Sequence, residues 1–279
     1  MLSPAHARGL ALIAVLWIVA ALSIAASGLV NTARQEIRHT ARQHASVQSL
    51  ATADAAVRLV LRDLVVAPEK PAATRDVEVA WAGQTVAVQV QPLNGLVDLN
   101  HAPVPLLAAL FQHAGGVPPS AAEALAVALE AYRKRPDAQG RAVGLDAPED
   151  LLQLPGFPFD LYVSIRPLVS TALSGAGLVN ALAAPPEVLL ALAQGDAAAV
   201  QQIVQTRATA GQTTDTTRLN PAFVGNTPSR AYMLTARVPV DSDAELHRVW
   251  IVSLAAAGRN GLPWQVIEQY QRLHRPPIR

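Results

Sequence analysis

Residues 10–30 read LALIAVLWIVAALSIAASGLV and contain no charged side chain. About 20 apolar residues in a helix span about 30 Å of hydrocarbon, so this segment is long enough to cross a bilayer. Residues 31–64 lack Pro and Gly, and their apolar residues recur every three or four positions between arginines. We therefore predict one helix from Leu10 to Val66, roughly 85 Å long, whose amphipathic second half must pack on other parts of the chain or on a partner.

A secretory signal peptide is the alternative interpretation of this N-terminus. Arg8 would supply the positive flank, Leu10–Leu22 the apolar core, and the small residues 25–27 the cleavage site. The apolar run continues to Val30, however, and is longer than the usual signal core of about 7–15 residues. Together with the uninterrupted amphipathic continuation, this length favours an anchor that is retained.

The N-terminus resembles that of type IV pilins and pseudopilins, in which a short leader ending in Gly precedes such a helix. The resemblance implies cleavage by a prepilin peptidase between Gly9 and Leu10, and N-methylation of Leu10. Most pilins have Glu at the fifth mature position, where this chain has Ala14. A carboxylate in hydrocarbon needs a cationic partner, which a subunit with nothing above it would lack. The departure fits a tip subunit, and the arrangement resembles the K-type minor pseudopilins of the type II secretion system.

Strand patterns flank a helical region in the remaining sequence. Alternating apolar residues on both sides of residues 82–85 predict a β-hairpin, which Gly95–Asn100 extends or ends, and Trp264–Ile267 is the predicted last strand. This order predicts an α+β fold: a long helix packed on a small, pilin-like antiparallel sheet, with an inserted all-α subdomain. The predicted segments are the leader 1–9, the transmembrane helix 10–30, the amphipathic half 31–66, the first part of the sheet 67–100, the helical subdomain 101–218, and the remaining strands and tail 219–279.

The helical region is predicted to contain four short helices. Ser120 and Glu123 form a capping-box pattern before the first, and the basic triplet 133–135 is predicted to complement the dipole at its end. The later helices are predicted to begin at residues 146–149, 185–186 and 195–196.

Three further segments also resemble the K-type pseudopilins, which carry a helical insertion within a pilin sheet: GLVDLN (95–100), PEDLLQLPG (148–156) and VNALAAPPEVLLAL (179–192). The third departs from the family, with Leu182 where Asn is usual. Some relatives bind calcium in this part of the subdomain. The carboxylates nearby have no EF-hand spacing, so we predict no cofactor and keep calcium as the alternative. These carboxylates are Asp137, Asp146, Glu149 and Asp150.

Composition and missing motifs exclude several classes of function. The 279 residues are 51% hydrophobic and 15% charged with a net charge of +1, which excludes wholesale disorder and any strong net attraction to nucleic acid. Cysteine is absent, and so are the P-loop, GxSxG, HExxH and dinucleotide-binding motifs. We predict that the chain is not an enzyme.

A membrane-anchored DNA-binding or DNA-uptake protein is the alternative function. Leu151–Gly156 and Pro186–Ile203 resemble helix-hairpin-helix units, whose Pro-Gly-x-Gly turn offers backbone N–H groups to a phosphate. In this chain the turn reads PGFP at 155–158, and Pro158 removes both a donor and the freedom of the second glycine. The sequence therefore favours a hairpin used for packing, with no nucleic-acid partner.

The resemblance implies a minor pseudopilin that caps the tip of the pseudopilus and helps to nucleate it during export of folded proteins. The implied partners are the I- and J-type pseudopilins, the H-type as a further candidate, the prepilin peptidase, and the secreted substrate or the outer-membrane secretin. The implied location is the inner membrane, with one span and the bulk in the periplasm. The predicted helix-assembly face is an apolar stripe that also has to cover the chain's own sheet: Ile37, Val47, Leu50, Val57 and Leu61.

Overall fold

The computed structural model describes Trp17 and residues 44–136, 138–173, 175, 177–241, 244–254 and 261–275. Among the described residues, helix α1 covers 44–66 and ends at Val66, as the following Pro68 predicts. The Nζ of Lys70 donates hydrogen bonds to the carbonyls of Val65 (2.9 Å) and Ala67 (2.7 Å) and so closes the helix end. The predicted leader, the predicted span 10–30 apart from Trp17, and residues 31–43 lie outside the described residues.

Two kinds of element follow α1. The strands are β1 (Arg75–Trp81), β2 (Gln84–Pro92), β3 (Val97–Asp98), β4 (Val169–Ser170), β5 (Ala231–Asp241), β6 (Ala244–Ser253) and β7 (Gln265–His274). The other helices are α2 (Val104–His113), α3 (Pro119–Arg133), α4 (Phe159–Ile165), α5 (Pro186–Leu192) and α6 (Ala197–Ala210), with a 3₁₀ helix at Pro148–Gln153.

The main sheet is antiparallel throughout, with the strand order β1-β2-β5-β6-β7. The predicted hairpin β1–β2 is confirmed, and its two-residue turn is made by Ala82 and Gly83, which both have positive φ. Because β2 and β5 are neighbours in the sheet, residues 93–230 form an excursion from it. All five described helices other than α1 lie in this excursion.

Each part of the molecule has its own core. In the first, α1 covers one face of the sheet, and the buried valines of β2 meet apolar residues of α1, β5 and β6. In the second, α2 to α6 bury a larger cluster that extends from Val97 to Phe223 and includes β3 and β4. A small third cluster at Leu93, Leu96 and Ala231 lies where the chain leaves and re-enters the sheet.

Four details of the predicted elements were wrong. Gly95–Asn100 does not join the main sheet, because Val97 and Leu99 turn into the helical core and β3 pairs in parallel with β4. Helix α3 begins at Pro119, so Ser120 is not its N-cap. The predicted second helix is a 3₁₀ helix. Strand β7 runs to His274 rather than Ile267, since its exposed faces hide the alternation of a half-buried strand.

Candidate assembly surface

Helix α1 buries one stripe against the sheet of its own chain. The side chains of this stripe are at most 4% exposed: Ala53, Ala56, Val57, Val60, Leu61 and Leu64. They recur every three or four residues, which places them on one side of the helix. The sheet supplies the β-branched and aromatic residues that face them. This side of α1 is therefore buried inside the subunit.

The predicted assembly face is divided by this packing. Val57 and Leu61 have no exposed surface and belong to the core of the subunit, so they do not offer a surface to another chain. Leu50 is half-buried, and Val47 is 68% exposed. Ile37 lies outside the described residues. Among the described members of the set, the free apolar surface is therefore concentrated at Val47, in the first described turn of α1.

A polar anchor fixes how α1 lies on the sheet. The Asp54 Oδ1 accepts hydrogen bonds from Arg248 Nε (2.7 Å) and Trp250 Nε1 (3.1 Å), and the Arg58 guanidinium lies 5.3 Å from the centre of the Trp250 ring. Both acceptor contacts cross from the helix to β6. Sequence reasoning missed this site, although an acidic residue within the apolar stripe of a helix was a usable signal.

The loop after α1 is held by a buried tyrosine. Tyr232 on β5 is fully buried, and its hydroxyl donates to the Ser229 carbonyl at 3.0 Å and lies 3.5 Å from the Pro71 carbonyl. Burial raises the pKa of Tyr232 to about 12. Asn180 adds a second link, because its Nδ2 donates to the Ala72 carbonyl at 2.7 Å. The end of α1 is thus tied to both the sheet and the helical region.

The two cores meet through close backbone contacts. Asn180 N donates to the Asn94 carbonyl at 2.7 Å, and its side-chain oxygen accepts from Leu182 N at 3.0 Å. A Cβ on Gly95 would lie 2.4 Å from the carbonyl carbon and oxygen of Ala183. Two of the segments that carry the K-type resemblance, 95–100 and 179–192, therefore meet at this joint. The sequence does not reveal that contact, because the two segments lie 79 or more positions apart.

A buried arginine organises the helical region. The Arg133 guanidinium is 8% exposed and donates to the carbonyls of Leu99 (2.8 Å) and Ala102 (2.7 Å). Burial lowers the pKa of Arg133, against the nearby Glu130 and Asp98 carboxylates, which raise it. Arg133 lies in the last turn of α3, the position at which the sequence predicts that it complements the helix dipole. Its guanidinium has a further role that was not predicted, because it fixes the end of α3 to the turn that follows β3.

Asp98 and Asn100 stabilise the turn after β3 to which Arg133 also binds. The Asp98 carboxylate, almost fully buried, accepts from Asn100 N (2.9 Å) and pairs with His101 Nδ1 (2.8 Å). Burial raises the pKa of Asp98, while the His101 and Asn100 hydrogen bonds lower it. The Asn100 amide makes two hydrogen bonds with the backbone of Leu145. These polar groups hold backbone segments together.

The carboxylates of two of the four calcium candidates, Asp150 and Glu149, have other contacts. Asp150 Oδ2 accepts from the backbone N–H groups of Asp146 (2.8 Å) and Ala147 (3.1 Å) and so caps the 3₁₀ helix. Glu149 Oε1 accepts from Tyr162 and Arg166. Burial raises the pKa of Glu149, but a backbone hydrogen bond together with those from Tyr162 and Arg166 outweighs it, so the pKa lies below its ordinary value. Asp137 lies outside the described residues. Within the described ranges, no three His, Asp or Glu side chains are grouped as metal ligands.

The two hairpin-like segments are built for packing. Phe157 in the first turn is buried and meets Phe111 edge-to-face, with 5.7 Å between ring centres. In the second, Asp196 caps α6 by accepting from Ala199 N (3.0 Å) and pairs with Arg218 (2.5 Å). A carboxylate thus occupies the helix N-terminus at which a DNA phosphate would have to bind, and it would repel that phosphate.

The described residues contain no helix with the length and apolar character needed to cross a membrane. No family model and no curated protein matches the chain. A solved structure does: a chain in the crystal structure of the GspK-GspI-GspJ complex from the enterotoxigenic Escherichia coli type 2 secretion system. The TM-score is 0.51, with 18% identity, over 86% of this chain and 98% of that chain.

The chain therefore has the fold of a component of that secretion complex: an α+β unit with an antiparallel sheet and several helices. Because the match leaves out only 14% of the chain, it includes parts of both the excursion of residues 93–230 and the unit formed by α1 and the main sheet. The resemblance to the K-type pseudopilins that the sequence indicated is confirmed at the level of the fold.

Proposed function

We propose that this chain is a minor pseudopilin of a type II secretion system, and that it works as a structural subunit without catalysis. The observation that carries the proposal is the helical excursion between neighbouring strands of a helix-and-sheet unit, with a structural match over 86% of the chain. The polar clusters of the described residues serve packing: Asp54, Asp98, Arg133 and Asn180 all bind other elements of the same chain.

The proposed position is the tip of a short pseudopilus, where the chain joins I- and J-type pseudopilins, caps the fibre and helps to nucleate it. Ala14, in place of the usual Glu, supports a subunit with no neighbour above it. Residues 10–30 would hold the chain in the inner membrane after prepilin peptidase cleavage between Gly9 and Leu10. The helical region would then lie in the periplasm, within reach of the secreted substrate or the secretin.

The first described turn of α1, residues 44–48, is the proposed contact with the neighbouring pseudopilins. Residues 44–48 are exposed or half-buried, and Val47 is an exposed apolar side chain in line with the rest of the predicted stripe. The buried stripe begins only further along the helix. A second long helix can therefore pack here without disturbing the core of the subunit.

Co-purification tests this function. The full chain is co-expressed with the I- and J-type pseudopilins of its own system and extracted in mild detergent. The complex should be recovered with the wild type and lost with Val47→Glu, because a charge enters the helix contact. Val66→Glu is the matched control, an exposed valine at the other end of α1 that should leave the complex intact. Failure of the wild type to bind either pseudopilin would reject the proposal.

Mass spectrometry of the N-terminus tests the anchor separately. A pseudopilin should start at a methylated Leu10, whereas a cleaved signal peptide would leave a start near Ser27. A gel-shift assay tests the DNA-binding alternative, whose affinity would have to fall steeply with rising salt. We expect no shift, since Asp196 occupies the helix N-terminus of the second hairpin.

A further inference from the structure

The face of the main sheet that points away from α1 carries a row of basic side chains. Arg237 on β5 lies opposite His247 on β6, and His247 lies opposite Arg272 on β7, so the three side chains stand next to one another on one face. One pair further along, Glu245 lies opposite His274 on the same face. Like charges directly opposite each other destabilise strand pairing, so the charge of His247 affects the stability of this end of the sheet.

The environment of the His247 imidazole favours its neutral form. The side chain is 13% exposed, and its Nε2 lies 3.3 Å from Glu245 Oε2. Its Nδ1 is buried and has no hydrogen-bond partner in the described part of the chain. A proton on Nδ1 would create a buried N–H without an acceptor, which costs free energy. Burial, with Arg272 and His274, lowers the pKa of His247 below its ordinary value of 6.5, against Glu245, which raises it.

The acidic groups nearby are poorly placed to balance a charged His247. Among the described side chains, Glu245 is the one carboxylate within ion-pair distance of the imidazole, and it is half exposed. Asp76 is already paired with Arg237 at 2.6 Å, and the His274 ring stacks on His247 with 5.1 Å between ring centres. The other charges that line the adjoining cleft of about 900 Å³ are of both signs, and none forms an ion pair with His247: Asp146, Glu149, Arg166, Glu187, Arg207 and Glu268.

Strand β7 is the weakly held element beside this row. Within the described ranges it pairs with β6 and with no other strand, and all of its residues are exposed except Tyr270, which is half-buried. None of its side chains belongs to the buried core between α1 and the sheet. Its attachment therefore depends on the hydrogen bonds to β6 and on the side-chain pairs beside them. Segments with so few buried contacts open locally at the lowest cost in free energy.

We propose that His247 makes the pairing of β7 with β6 sensitive to acid: a charged imidazole places three positive side chains next to one another across β5, β6 and β7, and β7 separates from β6. Neutral His247 stabilises the pairing fully above the unfolded pKa of 6.5, and this contribution is lost as the pH falls below that value. Histidine is the side chain whose charge ordinarily changes in this range. The inference does not depend on the secretion role.

Hydrogen exchange of the full chain in detergent tests the proposal. Protection factors, which are corrected for the intrinsic effect of pH on exchange, are measured for β7 and for β2 at pH 7.5 and pH 5.0. In the wild type, the protection of β7 relative to β2 should fall roughly fivefold at pH 5.0, because two cross-strand pairs become repulsive. His247→Gln should abolish this pH dependence, and Arg272→Gln should reduce it. His44→Gln, at an exposed position on α1, is the control and should keep the wild-type behaviour.

Titration of the His247 ring by NMR is the second measurement. It uses the wild-type chain, with His247→Gln serving only to assign the signal, and the expected midpoint is below pH 6.5. The proposal would be overturned by a midpoint at or above pH 6.5, by a wild-type protection ratio of β7 to β2 that does not change with pH, or by the same pH dependence in His247→Gln as in the wild type.

Discussion

The helix-and-sheet unit and the helical excursion bury their polar groups in different ways. In the first, Asp54 reaches from α1 to Arg248 and Trp250, and the charged pair stays partly open to solvent. In the second, Arg133 is buried and bonded to backbone carbonyls. A sheet satisfies its own backbone, whereas short helices joined by turns leave carbonyls that need side-chain donors. The helical core should therefore depend more on single polar residues than the sheet core does.

Replacing Arg133 by Met should have the largest effect. It leaves the carbonyls of Leu99 and Ala102 buried without these donors and Asp98 without its nearby cation, at a cost of about 4 kcal/mol in the free energy of unfolding. Hydrogen exchange should show the loss in α2 and α3 first, while β5 and β6 stay protected. Lys134→Met, at the exposed neighbouring position, is the control and should change stability little.

Leu61→Ala should destabilise the other core by about 3 kcal/mol, since it opens a cavity between α1 and the sheet. Faster exchange is expected in α1, β2 and β5 and not in α5. Val66→Ala removes a similar side chain from the exposed end of the helix and should cost far less. Equal losses in both regions would show that the two cores unfold as one.

Gly95→Ala tests the joint between them. Its Cβ would overlap the carbonyl of Ala183, which is backbone and cannot rotate away, so a loss of about 2 kcal/mol is expected. Gly175→Ala, where a Cβ meets nothing within 4 Å, is the matched control. Thermal unfolding of the two variants measures the difference. A neutral Gly95→Ala would mean that the joint is loose.

The smallest expected effect is on the pH dependence of the free energy of unfolding. Burial raises the pKa of Asp98 in the folded chain above its ordinary value of 3.8. A carboxyl of this kind stabilises the fold fully below the unfolded pKa and loses that contribution as the pH rises through the folded pKa. Asp98→Asn should therefore gain stability relative to the wild type between pH 3.5 and pH 7 in chemical denaturation. Asp63→Asn, at an exposed position, is the control and should show no such trend. If the stability difference between Asp98→Asn and the wild type stayed constant over this pH range, the raised pKa of Asp98 would be contradicted.

Much of the fold could be predicted because its signals are local. The alternation of the hairpin, the proline after Val66, and the Pro and Gly-Asp starts of α5 and α6 each lie within a few residues of the element they define. The K-type resemblance also rested on local segments. The residues that hold the parts together could not be predicted in this way. The sequence pattern predicted Arg133 as the end of a helix and Gly95 as part of a strand. Neither pattern indicates the distant segment that the residue contacts.

The sequence alone determined where α1 ends, that a hairpin follows, and that helices interrupt the strands, because the spacing of side chains along one element defines that element. Tertiary structure decided which side of α1 is spent on the subunit's own sheet, and that Val47 rather than Val57 or Leu61 is free. It also decided that Arg133 serves carbonyls 31 and 34 positions away. Burial depends on what a distant segment brings to the contact, and no spacing within one element contains that information.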